Sequence, residues 1–141
     1  MLTAIDTNVI SALWSAEPAA TGMATLLFEA SKQGGLVIAA PVYAELRAYP
    51  RATPDFVDRF LADTGIRVAF TLSEAVWRRA GEAFAGHAAR RRQARAGEPK
   101  RLLVDFLVGA HALLEADRLL TLDGGRYRTS FPELVLEPEG E

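Results

Sequence analysis

Hydrophobic positions along the chain form two patterns, short continuous runs and longer segments in which they recur every three or four residues. A short run bounded by Gly, Pro or Asp predicts a buried strand, and recurrence at three and four predicts an amphipathic helix. The predicted strands cover residues 2–5, 36–40, 66–70, 118–122 and 134–136. The predicted helices cover residues 8–14, 20–33, 41–49, 55–62, 74–95 and 102–116. This alternation indicates a parallel sheet with helices on both faces.

The size and composition of the chain indicate one domain. It has 141 residues, half of them hydrophobic, which is enough for a single buried core. We expect this domain to cover residues 1–136 and a frayed tail to cover residues 137–141. No apolar run approaches the roughly 20 residues that span a bilayer, and the first residues lack the pattern of a secretion signal. We therefore expect a cytoplasmic protein that does not contact a membrane.

Acidic residues occupy corresponding places after the predicted strands. Asp6 directly follows the first strand and Asp123 follows the fourth, whereas Glu45 and Asp105 each lie one turn into a helix. The carboxyl ends of parallel strands meet at one edge of the sheet, where open α/β folds have their functional crevice. We therefore expect the four carboxylates to line one cleft.

Each of these acids also has a purely structural interpretation. Asp6 is a suitable helix cap, Asp123 precedes two glycines as in a turn, and Glu45 borders the apolar face of its helix. Asp105 is harder to explain because its neighbours are apolar, and a buried carboxylate without a partner is costly. A divalent cation would remove that cost and the repulsion among the acids. Oxygen ligands in a chain without cysteine favour Mg²⁺ or Mn²⁺.

The ordered set of motifs resembles that of a known family. It consists of Asp6-Thr7-Asn8, Glu45 in APVYAEL, Asp105 in LLVDFLVGAHAL, and Thr121 and Asp123 in LLTLDGGRY. In order and spacing, over almost the whole chain, this set resembles the PIN-domain ribonucleases, in particular the VapC toxins of bacterial toxin-antitoxin pairs. Two positions differ from the family pattern. Val104 stands where proline commonly precedes the third acid, and Gly124 follows the fourth acid, where many members have another acid nearby.

The resemblance implies a fold, an activity and partners. The fold would be a PIN-like three-layer α/β/α architecture around a central, mostly parallel sheet. The activity would be that of a metal-dependent endoribonuclease, the toxin of a toxin-antitoxin pair, which hydrolyses RNA phosphodiester bonds with Mg²⁺ or Mn²⁺. The partners would be the RNA substrate, a VapB-like antitoxin and a second copy of the chain in a homodimer.

The resemblance also implies roles for individual residues. The catalytic set would be Asp6, Glu45, Asp105 and Asp123. Three of them, Asp6, Asp105 and Asp123, would bind the metal, and Glu45 would either bind it or help to deprotonate the attacking water. The polar side chains of Asn8 and Thr121 would support these acids.

Basic residues are concentrated just before the helix of Asp105. The formal net charge is −2, so a nucleic acid would have to be bound by a local basic patch. The candidates for substrate contact are Arg90, Arg91, Arg92, Arg95, Arg101 and Arg126. The arginine run equally suits a solvated helix end, where cations complement the helix dipole. The nearby acids favour contact with phosphate, which orients a nucleic acid without selecting its sequence.

Four other functions are alternatives for a chain with this pattern of acids. A phosphoacceptor receiver module requires adjacent acids after the first strand, and a phosphatase of the Asp-x-Asp type requires an acid where Asn8 stands, so both are disfavoured. A catalytically silent α/β module that binds nucleic acid or a partner remains an alternative, although all four acids are present. A PIN-like structure-specific DNA nuclease also remains, although such enzymes usually need insertions for which this chain has no room.

Overall fold

The computed structural model describes residues 1–97 and 102–138. Its strands are β1 (Thr3–Ile5), β2 (Leu36–Ala39), β3 (Ile66–Ala69), β4 (Arg118–Leu120) and β5 (Leu136–Glu137). Its helices are α1 (Thr7–Trp14), α2 (Ala20–Gln33), α3 (Ala40–Arg47), α4 (Pro54–Thr64), α5 (Glu74–Gln93), α6 (Leu103–Glu115) and α7 (Gly125–Arg128). None of the helices within these two ranges is long and apolar enough to cross a membrane.

The five strands of the described residues form one sheet in the order β3-β2-β1-β4-β5, and every neighbouring pair is parallel. The predicted parallel sheet is therefore confirmed. β1 lies at its centre, where Thr3 aligns with Leu36 of β2 on one side and with Arg118 of β4 on the other. All residues of β1 and β2 are buried, as expected for strands covered on both faces.

The path of the chain determines the faces on which the helices lie. From β1 to β3 the strands advance toward one edge of the sheet, and from β4 to β5 they advance toward the other. Right-handed crossovers therefore place α1 to α4 on one face and α5 to α7 on the opposite face. The helix α6 is buried without interruption from Phe106 to Ala112.

The face of α6 that includes Gly109 contacts the segment between α7 and β5. A Cβ atom at Gly109 would lie only 2.4 Å from Cε2 of Phe131, whose side chain is 1% exposed. Glycine is therefore required here by the close approach of the phenyl ring. The same helix buries His111, and burial lowers the pKa of its imidazole below the usual value.

The predicted elements differ from the observed ones by one or two residues at most ends, and the largest differences lie in the C-terminal part of the chain. The helix α7 was not predicted, and the last strand, Leu136–Glu137 instead of 134–136, begins two residues later and ends one residue later than expected. Glu137 was assigned to the frayed tail, yet it pairs with Leu120 in the sheet. Residues 139–141 of that predicted tail lie outside the described residues.

Candidate active site

The candidate site lies beyond the carboxyl ends of β1 and β4. The backbone N–H of Asp6 donates to the carbonyl oxygen of Leu120 at 2.9 Å, so the pairing of β1 with β4 extends to the first acid. The strand order reverses direction at β1, and ligands of open α/β sheets bind at such a switch point. The topology therefore places Asp6 and Asp123 at the position where a functional crevice is expected.

Asp6 is a buried carboxylate with three hydrogen-bond donors. Its side chain caps α1 by accepting the backbone N–H of Thr7 at 2.8 Å. Its other oxygen accepts the hydroxyls of Thr121 at 2.9 Å and Tyr127 at 2.7 Å. Asp6 is only 4% exposed, and this burial raises its pKa, against which the hydrogen bonds and the charge of Arg126 act. The helix-cap interpretation is correct, but the two hydroxyl donors and the burial exceed what a cap requires.

Asn8 and Thr121 connect the ends of β1 and β4. The side-chain amide of Asn8 donates to the Thr121 hydroxyl oxygen at 3.3 Å and accepts the backbone N–H of Leu122 at 3.1 Å. The same Thr121 oxygen accepts the backbone N–H of Asp123 at 3.0 Å while it donates to Asp6. The two side chains predicted to support the acids therefore lie between Asp6 and Asp123 and fix the backbone that presents them.

Glu45 lies in α3 and is oriented by a residue of α1. The Thr7 hydroxyl donates to Oε1 of Glu45 at 2.5 Å. Burial raises the pKa of Glu45 above its usual value, and the charges of Asp6 and Asp105 raise it further. The electrostatic coupling among these three carboxyl groups shows that the fold brings them to one region.

Asp105 and Asp123 both form an ion pair with the guanidinium of Arg126. Nη1 of Arg126 lies 3.2 Å from Oδ1 of Asp105, and its Nε lies 3.2 Å from Oδ2 of Asp123. The two carboxylate side chains are 20% and 49% exposed, and the guanidinium side chain is 36% exposed. Burial alone would lower the pKa of Arg126, but the acidic neighbours, Asp105 foremost, raise it above its usual value.

The four predicted acids thus gather at one end of the sheet, with Arg126 among them. Their chemistry fits a hard divalent cation, because carboxylate oxygens are the ligands that Mg²⁺ and Mn²⁺ prefer. The distances between these carboxylates do not form a complete set of metal ligands. Over residues 1–97 and 102–138, no three Asp, Glu, His or Cys side chains approach one another closely enough to hold an ion together.

Comparison with known proteins decides the family. The family model described as the PIN domain matches residues 3–132. The chain belongs to the PIN-domain family. The predicted family and the three-layer α/β/α fold are therefore confirmed. No curated protein sequence matches the chain significantly.

Two solved structures share the fold of this PIN domain. One is the VapBC2 complex from Rickettsia felis, bound to a DNA fragment from its promoter; it is 19% identical, with a TM-score of 0.65 over 97% of this chain and 98% of the other. The other is VapBC-1 from nontypeable Haemophilus influenzae, which is 22% identical, with a TM-score of 0.65 over 97% of both chains. At these identities the likeness concerns the fold.

The arginine run of the PIN domain lies at the C-terminal end of α5, the helix that packs against α6. Arg90–Arg92 form the last turn of α5. The first of them is one turn beyond His87, whose ring lies 5.6 Å from that of Phe106, the neighbour of Asp105. The run thus follows the part of α5 that contacts the helix of Asp105. It lies at the end of α5, where cations also complement the helix dipole.

The other predicted substrate contacts lie in different settings. Arg95 follows α5 in a left-handed conformation with φ of 57°. Arg101 lies outside the described residues. Arg126, predicted to contact the substrate, lies within the acidic cluster of the PIN domain.

Two residues of the site were not identified from the sequence. Thr7 contacts both Asp6 and Glu45, and the only sequence signal for it is its place between Asp6 and Asn8. Tyr127 is 1% exposed and donates its hydroxyl to Asp6. Its burial and the adjacent carboxylate raise the pKa of the phenol, so the hydroxyl keeps its proton and acts as a donor.

Proposed function

We propose that this PIN domain is a metal-dependent endoribonuclease, the toxin component of a toxin-antitoxin pair. The observation that supports it is the buried carboxylate of Asp6, hydrogen-bonded on both oxygens, beside three further acids at the switch point of the sheet. A structural cap needs neither the burial nor the neighbouring acids. Members of the family are generally nucleases, and a group of carboxylates suits hydrolysis of a phosphodiester by a metal-activated water.

In this proposal Asp6, Asp105 and Asp123 bind Mg²⁺ or Mn²⁺. A bound ion lowers the pKa of a coordinated water and offsets the negative charge that develops on the phosphate. Glu45, held by the hydroxyl of Thr7, either binds the ion or accepts a proton from the attacking water. Its raised pKa brings it nearer to the range in which a carboxylate works as a base near neutral pH.

The proposed substrate is RNA, held by cations outside the acidic cluster. Carboxylates repel phosphate, so the substrate needs positive charges at the edge of the site. The arginines of the last turn of α5, Arg90–Arg92, together with Arg95 supply them in this proposal. Such contacts bind the backbone of a nucleic acid and make the affinity dependent on salt.

The proposed partners follow from the structural neighbours. Both neighbours are VapBC assemblies that share the fold over 97% of this chain. We propose that this chain likewise pairs with a VapB-like antitoxin in the cytoplasm and that it forms a homodimer. Co-expression with the product of an adjacent gene, followed by co-purification and determination of the mass of the complex, tests both statements.

The experiment for the activity is cleavage of end-labelled RNA by the purified chain. Total RNA is incubated with the protein and Mg²⁺, Mn²⁺ or a chelator, beside Asp105→Asn and a matched control, Glu115→Gln. Both substitutions remove a carboxylate from α6, but Glu115 lies exposed at its far end. We expect discrete fragments that require the metal, persist in Glu115→Gln and disappear in Asp105→Asn.

Other outcomes point to the alternatives. Equal cleavage by all three proteins would indicate a contaminating nuclease or a different site. Cleavage of branched DNA but not of RNA would favour a structure-specific DNA nuclease. No cleavage by folded protein with either metal would favour a silent binding module and would contradict the proposed function.

A further inference from the structure

Arg126 forms ion pairs with two carboxylates that lie on different parts of the fold. Its Nη1 contacts Asp105 of α6, and its Nε contacts Asp123 in the turn after β4, each at 3.2 Å. Because the two contacts use different nitrogens of one planar group, the distance between the carboxylates is matched to the width of a guanidinium. An ion bound by both acids would have to occupy the space between them, where the guanidinium now lies.

The charge of Arg126 also extends to the other two acids. It lowers the pKa of both Asp6 and Glu45, against the effect of their burial. Arg126 therefore pairs directly with Asp105 and Asp123, and it acts on Asp6 and Glu45 through its charge alone. The guanidinium thus offsets the negative charge of the acids as a divalent cation would, but it carries one positive charge instead of two.

The backbone around Arg126 is held in place, whereas its side chain can move away from Asp105 and Asp123. The next residue, Tyr127, is 1% exposed and is hydrogen-bonded to Asp6, which anchors the short helix α7. The Arg126 side chain, in contrast, is 36% exposed. A change of side-chain rotamer can thus remove the guanidinium from the acids without moving α7.

We propose that Arg126 is an internal counter-ion that competes with the divalent cation for Asp105 and Asp123, and so sets the metal affinity of the site. This inference rests on the proposed function, because it assumes that the acids bind a metal. Metal binding then requires exchange of two ion pairs for two metal-ligand bonds. The chain remains folded at low metal concentration, because the carboxylates of Asp105 and Asp123 keep a counter-ion.

The direct test is Mn²⁺ binding without RNA. Titration calorimetry, or the electron paramagnetic resonance signal of free Mn²⁺, gives the Kd for the unmodified chain, Arg126→Gln, Arg126→Lys and Arg128→Gln. Arg128 is the matched control, because it is an exposed arginine of the same helix with no ion pair to the acids in the part of the chain that the structure describes. The control measures what the loss of one positive charge from α7 does by itself.

We expect Arg126→Gln to bind Mn²⁺ about tenfold more tightly than the unmodified chain, a difference of about 1.4 kcal/mol. Arg128→Gln should stay within about twofold of the unmodified chain, since a remote exposed charge is screened. Arg126→Lys should lie between them, because an ammonium keeps the charge but cannot contact both carboxylates with a planar fork.

A second readout is thermal unfolding. Arg126→Gln should unfold at a lower temperature than the unmodified chain without metal, and its midpoint should rise more on addition of Mn²⁺. Should Arg126→Gln fail to fold without metal, Arg126→Lys, which retains the charge, must still bind Mn²⁺ more tightly than the unmodified chain.

Equal or weaker binding by both Arg126 variants, with Mn²⁺ still bound by all proteins, would overturn this inference and leave the proposed function intact. The same tightening in Arg128→Gln as in Arg126→Gln would also overturn it, because net charge alone would then be responsible. Absence of Mn²⁺ binding in every protein would contradict both this inference and the metal dependence of the proposed function.

Discussion

Replacing Tyr127 by Phe removes one hydroxyl from the most buried part of the site. The ring is 1% exposed, and its hydroxyl donates to Asp6 at 2.7 Å. The variant keeps the packing of the ring, and Asp6 keeps the donors of Thr121 and Thr7. The substitution therefore isolates a single hydrogen bond to a carboxylate.

The expected cost follows from the charge of Asp6. A hydrogen bond to an ionised group contributes about 1.5–3 kcal/mol, against about 0.5–1.5 kcal/mol between neutral groups. Losing the charged form of this bond should raise the pKa of Asp6 further, because the hydrogen bond from Tyr127 lowers it. For a chain of this size, the free energy lost corresponds to a fall of about 5–10 °C in Tm above the pKa of Asp6.

The pH dependence of this loss has a definite sign. Asp6 has a raised pKa in the folded protein, and the variant raises it further. In the interval between the two folded-state values, the folded variant binds more protons than the unmodified protein. The loss of stability relative to the unmodified protein is therefore small below this interval, grows as the pH rises through it, and is complete above it.

The assay is chemical or thermal unfolding of both metal-free proteins from about pH 4 to pH 9. Tyr43→Phe is the matched control, because its hydroxyl also donates to a carboxylate, that of Asp58 at 3.0 Å, but at the surface. The control should lose less than about 1 kcal/mol at every pH. A Tyr127→Phe variant as stable as the unmodified protein, or one whose loss does not change with pH, would refute this account of Asp6.

Three further predictions concern other parts of the molecule. Gly109→Ala should destabilise the fold by about 1–3 kcal/mol in denaturant unfolding, because its Cβ would overlap a packed phenyl ring. Gly81→Ala, in a helix with open space around it, should instead stabilise by about 0.5–1 kcal/mol. Because the folded-state pKa of His111 is lowered, the unfolded chain takes up this proton first, so stability falls by up to about 1.4 kcal/mol per pH unit between pH 6.5 and the folded-state pKa, and His111→Leu should show a smaller fall. Alanine at all three positions of Arg90–Arg92 should weaken RNA binding and reduce its dependence on salt by filter-binding assay, whereas Arg78→Ala, at the other end of α5 and paired with a glutamate, should change neither.

Most of the fold could be predicted from the sequence, because continuous apolar runs and helical spacing are strong signals. The helix at Ala20–Gln33 was predicted with its observed bounds, and the other long elements agree within a few residues. The helix α7 has four residues and no apolar period. The strand β5 has two residues, and its position depends on pairing with β4 rather than on its own pattern.

The acids of the site could be predicted, but their partners could not. The positions of Asp6 and Asp123 after parallel strands follow from topology, which local patterns reveal. The contacts of Arg126 and Tyr127 depend on where α7 packs, and α7 is short and begins at the second of two glycines. No local pattern specifies that one residue of this segment lies over Asp105 while the next reaches Asp6.

The central position of β1 has a consequence for synthesis. β1 can pair with β2 soon after both are synthesised. Its other edge stays unpaired until β4 is synthesised, because Thr3 and the Arg118 that contacts it are 115 positions apart. A chain that stops or is cut before β4 lacks Thr121, Asp123 and Tyr127 and leaves the edge of β1 unpaired. Unpaired edges promote aggregation. Premature termination should therefore give an inactive, aggregation-prone fragment rather than a partly active one.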